Sequence, residues 1–228
     1  MTNKEFTLFY KSYLDEIRKR SINLDITYRC PLECPFCQRQ RMGDDKEKLL
    51  KSSDMSFDDY NKILKFFNTI NFCGQISDPI YHSEFLEILK ISTTFINKKF
   101  EIHTNGTRKK LSWWKEVFNN TDSRFVWTFG LDGTDQEAAN KYRVNTKYDE
   151  VMEVMKLGAS LGKNIQWQFI VFKHNEHQIE EAKQIAKVNG ITLRLMKSSR
   201  WHDHPVVAAP SPEWKSKYKV VKQFVNIK

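Results

Sequence analysis

No apolar run in the sequence approaches the ~18–20 residues of a membrane-spanning helix. The first twenty residues, MTNKEFTLFYKSYLDEIRKR, alternate charge with apolar side chains and lack the apolar core of a signal peptide. They predict an amphipathic helix over 1–20. With neither feature, the expected location is the cytoplasm. Internal repeats and low-complexity tracts are missing too, which argues against a solenoid. The formal net charge is +9, yet no dense basic run is interleaved with aromatics, so no motif points to nucleic acid. The excess charge reads as a lysine-rich solvated surface or as attraction to an acidic partner. Cysteine is scarce, four in 228 residues. In a reducing compartment that argues for metal binding or catalysis rather than a disulfide framework.

Three of those cysteines are crowded together. RCPLECPFCQRQ (Arg29 to Gln40) holds Cys30, Cys34 and Cys37 as C-x3-C-x2-C. Clustered thiolates bind zinc or iron–sulfur centres. A structural zinc site needs four protein ligands, and the candidates for a fourth, such as His82 or His103, are distant in sequence. A cubane cluster usually takes four cysteines. Cys73, in INFCGQ, reads as a small buried cysteine at a strand end rather than as that ligand. Three thiolates without a fourth leave one metal position open, as catalysis requires.

Around this loop, strand-like and helix-like segments alternate. The strands are INLDITY (Ile22–Tyr28), INFCG, KFEIHTN, RFVWTFGLD, IQWQFIVF and ITLRLM. Ser56 and Asp59 form a capping box at a helix start, and Gly162 reads as a helix stop. Six strands separated by helices imply parallel pairing through right-handed crossovers. Most strands alternate polar with apolar side chains, although a sheet covered on both faces should be apolar throughout. One face carries Asn23, Asp25, Thr27, Glu101, His103, Asn105, Thr128, Gly130, Asp132, Gln166, Gln168, Thr192 and Arg194. Burying those groups unpaired against helices costs ~1–3 kcal/mol each. The predicted fold is therefore α/β, a (βα)6 partial TIM-like barrel with parallel strands and a polar lumen. The core spans 21–196, and 197–228 is expected as a C-terminal tail packing on it. A polar stretch from Met42 to Asp54 is expected to cross the surface. Ligands in such folds sit at the C-terminal strand ends, where the cysteine loop also lies.

With these residues in place, the chain resembles the radical S-adenosylmethionine (SAM) superfamily over about 21–196. The cysteine loop carries an aromatic, Phe36, before its last cysteine. GQISDP (Gly74–Pro79) stands where that family has Gly-Gly-Glu-Pro. HTNGT and FGLDGT resemble its third and fourth strand ends, and the remaining segments through ITLRL resemble its later units. The resemblance implies a [4Fe–4S] cluster on Cys30, Cys34 and Cys37, with SAM chelating the fourth iron. Phe36 would lie near the adenine. Backbone carbonyls around Gln75–Ser77, with Gly74 and Asp78, would hold the methionine amino group. Asn105 and Gly130–Asp132 would line the SAM or substrate side, Arg143 would take the SAM carboxylate, and Gln168 would add a polar contact. Cys30, Cys34, Cys37, Asp132 and His103 are the candidates for catalysis. The family glutamate is here Asp78, the glycine before it Ser77, and the fourth-strand serine Gly130. Those departures motivate an alternative, a non-catalytic iron–sulfur or zinc-binding regulatory module on the same fold.

As an enzyme, the protein would cleave SAM reductively and abstract hydrogen from a polar substrate, either a peptide or a small metabolite. Its partner would be a low-potential electron donor resembling flavodoxin or ferredoxin. No cysteine follows Cys73 to build the auxiliary cluster of many peptide-modifying members. His103 reads either as catalytic or as a satisfied lumen histidine. His202 and His204 read as a loop pair without a third ligand, and Trp113, Trp114 and Trp127 as packing.

Overall fold

The computed structural model describes residues 2–18, 21–42, 53–198, 201–217 and 224–226; most of the polar stretch after Met42 lies outside them. Helix α1 (Asn3–Arg18) precedes β1 (Ser21–Leu24). There follow α2 (Phe57–Phe66), β2 (Thr69–Phe72), α3 (Phe85–Thr93), β3 (Lys99–Thr104), α4 (Leu111–Asn119) and β4 (Phe125–Gly130). Then come α5 (Gln136–Tyr142), α6 (Tyr148–Ser160), β5 (Asn164–Ile170), α7 (Ile179–Val188) and β6 (Thr192–Met196). Helix α8 (Pro212–Lys217) and strand β7 (Phe224–Asn226) end the described chain. The strands form one sheet in sequential order, β1 through β6 parallel, with β7 antiparallel to β6. The sheet does not close, so the architecture is the partial barrel expected from the alternation.

The two faces of the sheet divide as the pattern predicts. Phe100, Ile102, Phe125, Trp127, Phe129, Trp167, Phe169, Leu193 and Leu195 are buried under the helices. Trp114 of α4 meets Trp127 edge-on at 5.8 Å, and both are fully buried, as packing residues. Removing a side chain of that size from such a core costs about 3–5 kcal/mol. On the other face His103, Thr128, Gln166 and Thr192 stand in register across four strands. Gln166 Oε1 accepts hydrogen bonds from Thr128 Oγ1 (3.4 Å) and Arg194 Nη1 (2.6 Å). A row of partnered polar side chains thus replaces an unpaired one.

Ser56 caps α2 as expected: its Oγ accepts from Asp59 N at 3.1 Å and donates to Asp59 Oδ2 at 2.8 Å. Three local features go beyond the expectations. The first strand ends at Leu24 rather than Tyr28, because its next backbone groups bond to loops. Met55 N donates to Ile26 O and Asp78 N to Arg29 O, both at 2.9 Å. Helix α5 was not foreseen; its N-cap Asp135 accepts from Ala138 N at 2.8 Å. The segment after β6 supplies the edge strand β7 and places Trp214 in the core.

Candidate active site

A cavity of about 360 Å³ lies at the C-terminal ends of the strands. Cys30, Cys34, Cys37, Gly74, Gln75, Ser77, Asp78, His103, Asn105, Gly130, Arg143 and Gln168 all line it. Phe36 and Asp132 stand behind the lining. Phe36 packs beside Tyr142, Phe172 and Val207, with the rings of His202 and His204 edge-on to it at 4.8 and 5.0 Å. His82 is buried and structural: Nε2 pairs with Met55 O at 2.9 Å, and Nδ1 accepts from Glu84 N.

The cysteine loop is held from several sides. Arg39 Nη1 donates to Cys30 O at 2.8 Å, Glu33 N to Val144 O at 3.1 Å, and Cys37 N to Cys34 O at 3.0 Å. Asp54 gathers Thr27, Arg29 and Ser83 at the loop's base. Burial, reinforced by the charge of Asp78, pushes the Cys30 thiol up to about 12, and burial pushes Cys34 up to about 11. Such thiols become thiolates when a metal takes the proton's place. Among the described residues, no three His, Cys, Asp or Glu side chains converge on a point that could hold a single ion. Cys73 is half-buried and lines the same cavity, with its sulfur 3.8 Å from Leu24 O.

The opposite wall is the loop after β2. Gly74 has φ +52°, and a Cβ there would lie 2.6 Å from Ser77 O, so the turn requires glycine. Asp25 fixes the loop's far side, accepting from Ser77 Oγ (2.9 Å) and Ile76 N (3.4 Å). The Asp78 carboxylate is buried and faces the end of β3. It accepts from Thr104 Oγ1 (3.0 Å), Ile80 N (3.2 Å), Asn105 N (2.6 Å) and Asn105 Nδ2.

A third wall is built on β4 and β5. Asp132, fully buried, accepts from Arg143 Nε (2.7 Å) and Ile170 N (2.6 Å). Burial opposes the charge on Arg143, yet Asp132 and Cys34 keep its guanidinium protonated well above the usual range. A Cβ on Gly130 would lie 2.5 Å from the Arg143 guanidinium carbon. Glycine at 130 is therefore the counterpart of Arg143: a serine there and the guanidinium in this place exclude each other. Deeper in the lumen, His103 Nε2 lies 3.9 Å from Glu101 Oε2.

Sequence reasoning singled out most of the lining but missed the posts behind it. Asp25 was visible as a polar-face residue without a role, while Asp54 gave no signal. Tyr142, Met196, Lys197 and Ser198 complete the cavity from segments where no motif marks them.

The sequence matches the family profile described as Radical SAM superfamily over residues 24–186. The chain belongs to the radical SAM superfamily. Among curated proteins, none matches by sequence. Solved structures share the fold at low identity. Streptococcus suis SuiB bound to S-adenosylmethionine aligns at 15% identity and TM-score 0.66, covering 92% of this chain and 50% of that one. The structure of anSMEcpe with bound AdoMet aligns at 18% and 0.62, covering 86% and 57%. Methylornithine synthase (PylB) aligns at 13% and 0.56, covering 93% and 65%. The chain spans about half the length of the SuiB chains it matches. The cofactors of the superfamily are a [4Fe–4S] cluster and SAM. The donor set fits the first, with the three thiols of the C-x3-C-x2-C loop lining one cavity. The walls fit the second, with a fixed cation on one side and a loop of backbone carbonyls on the other.

Proposed function

We propose that the protein is a radical SAM enzyme acting on a polar substrate. One observation carries this reading: the C-x3-C-x2-C thiols line one strand-end cavity together with Gly74, Gln75, Ser77, Asp78 and Arg143. When bound, the cluster and SAM would supply the radical chemistry, the cluster passing one electron from the donor protein to SAM so that a hydrogen atom can be taken from the substrate. The chain's own residues bind and orient. Cys30, Cys34 and Cys37 would each ligate one iron. Arg143, held by Asp132, would pair with the SAM carboxylate, and the carbonyls around Gln75–Ser77 would accept from its amino group. Cys37 lies beside that loop, its sulfur 3.8 Å from Gln75 O. Phe36 backs the adenine side, and Gln168 adds a polar contact from β5. His103, steadied by Glu101, faces the cavity and is positioned to move a proton on the substrate.

The substrate class is a peptide or a small polar metabolite. Two of the similar structures hold peptides, SuiB its precursor peptide SuiA and anSMEcpe a Cp18Cys peptide. The electron donor is an acidic flavodoxin- or ferredoxin-like protein docking on the basic surface in the cytoplasm, and its turnover should weaken as salt rises. Of the three departures that motivate the non-catalytic alternative, the one at Gly130 stands beside the Arg143 guanidinium, which occupies the space a side chain there would take.

The test is anaerobic. The protein is reconstituted with iron and sulfide, given SAM and dithionite, and assayed for 5′-deoxyadenosine by mass spectrometry. Formation of deoxyadenosine that disappears in Cys34→Ala supports the enzyme. A cluster with intact SAM supports the regulatory module, and zinc binding without a cluster overturns both cofactor assignments.

A further inference from the structure

Asp78 and Asn105 form a hydrogen-bond circuit that ends on sulfur, and every polar atom in it is assigned. A carboxylate offers about four acceptor positions. Those of Asp78 take Ile80 N, Thr104 Oγ1, Asn105 N and Asn105 Nδ2. Thr104 Oγ1, having donated its proton, accepts from Gly106 N at 3.0 Å. The side-chain amide of Asn105 is equally determined. Its Oδ1 accepts from Thr107 N at 3.0 Å. One Nδ2–H points to Asp78, and Nδ2 lies 3.6 Å from Cys30 Sγ. Reversing the amide would set its oxygen against the carboxylate and its NH2 against the Thr107 N–H. The orientation shown is the one that pairs every group.

We infer that Asp78 is a positioning residue which holds Asn105 so that its amide donates a hydrogen bond to the Cys30 sulfur, and that this bond raises the reduction potential of the cluster bound there. The task differs from the contact with the SAM amino group that the resemblance implies. The carboxylate has no acceptor position left for that amine, and an aspartate, one methylene shorter than the usual glutamate, stays back against β3. The amine is left to the backbone carbonyls of the loop. A hydrogen bond to a ligating sulfur draws negative charge off the cluster and favours the reduced state, which carries more of it. Asn105 reaches Cys30 without a charge of its own, so it tunes the cluster without adding an ion to a buried wall.

The part of this inference that concerns the cluster rests on the radical SAM reading; the hydrogen-bond circuit does not. Two measurements separate them. In the metal-free protein, 15N-resolved NMR of the Asn105 side-chain amide reads the bond to Asp78 directly. One strongly deshielded, slowly exchanging amide proton is expected in wild type, and its loss in Asp78→Asn. An ordinary, rapidly exchanging amide in wild type would overturn the positioning role whatever the cofactor, and needs no variant. In the reconstituted protein, resonance Raman spectra in H2O and D2O test the sulfur. One iron–sulfur(Cys) stretch should shift on deuteration in wild type, and should lose that sensitivity in both Asn105→Leu and Asp78→Asn. Redox titration of Asn105→Leu should show a more negative midpoint, by about a tenfold change in the reduced-to-oxidised ratio, ~59 mV for a one-electron couple. An unshifted midpoint, or deuterium sensitivity surviving in Asn105→Leu, would overturn the tuning role. Failure to assemble any cluster while the NMR signature is present would sink the radical SAM reading and leave the circuit standing.

Discussion

Asp78 and Asp132 are both buried at the C-terminal ends of strands, on opposite sides of one cavity, and they solve the burial of a carboxylate in different ways. Asp132 is neutralised by the Arg143 guanidinium at 2.7 Å and fixed by one backbone N–H. Among the described residues Asp78 has no ion-pair partner, and four neutral donors from its own loop and the end of β3 satisfy it. Burial raises both carboxylates: Asp78 to about 6, against the pull of the Asn105 and Thr104 hydrogen bonds, and Asp132 against the pull of Arg143. The difference teaches what each is for: the paired carboxylate presents a cation to the cavity, and the unpaired one orients an amide.

The comparison breaks most visibly if the ion pair is cut. Asp132→Ala leaves Arg143 buried without its counter-charge, and a loss of about 3–5 kcal/mol is expected in urea denaturation of the metal-free protein. Asp78→Ala strands neutral donors and removes a buried charge, so a smaller loss of roughly 1–3 kcal/mol is expected by the same measurement. An Asp78 effect as large as that of Asp132 would refute the distinction. Gly130→Ser tests the guanidinium's seat alone: stability should fall by about 1–2 kcal/mol, and calorimetry of the reconstituted protein should show weakened SAM binding, with the thiols untouched.

The smallest expected effect is on pH dependence. The folded value of Asp78 lies above the ordinary carboxylate value, so the folded state binds more protons and its stability declines as pH rises through about 6. His174 runs the other way: burial lowers it to about 4, so its contribution is present above its ordinary value and lost as pH falls. In a His174→Gln background the protein should be about 1 kcal/mol less stable at about pH 7.5 than at about pH 5.5. Adding Asp78→Asn should flatten that slope.

The fold was readable because one physical conflict ran through every strand. Polar residues such as His103 and Gln166 alternate with large apolar ones, and only a sheet with a wet inner face accommodates both. The cysteine loop was readable for the same kind of reason, since three thiols at that spacing have few stable uses. What could not be read is how donors and acceptors are shared in space. Asp78 resembles a ligand contact in sequence, and three of its four donors come from Thr104 and Asn105, brought up by the β2–β3 pairing. Gly130 reads as a lost hydroxyl until the guanidinium that needs its space is seen beside it. Helix α5 spans seven residues, too few for a helical period to emerge, and β7 pairs over three.

The sequential order of the sheet carries a consequence for biosynthesis. From β1 to β7 each strand joins the one made just before it, and none is inserted between two earlier strands. A chain leaving the ribosome can therefore grow the sheet by edge addition, burying each apolar face under its own helix as that helix emerges. The cysteine loop is made early in this sequence, while Arg143 and the β5 and β6 walls arrive later. During synthesis the three thiols therefore precede the walls that enclose them.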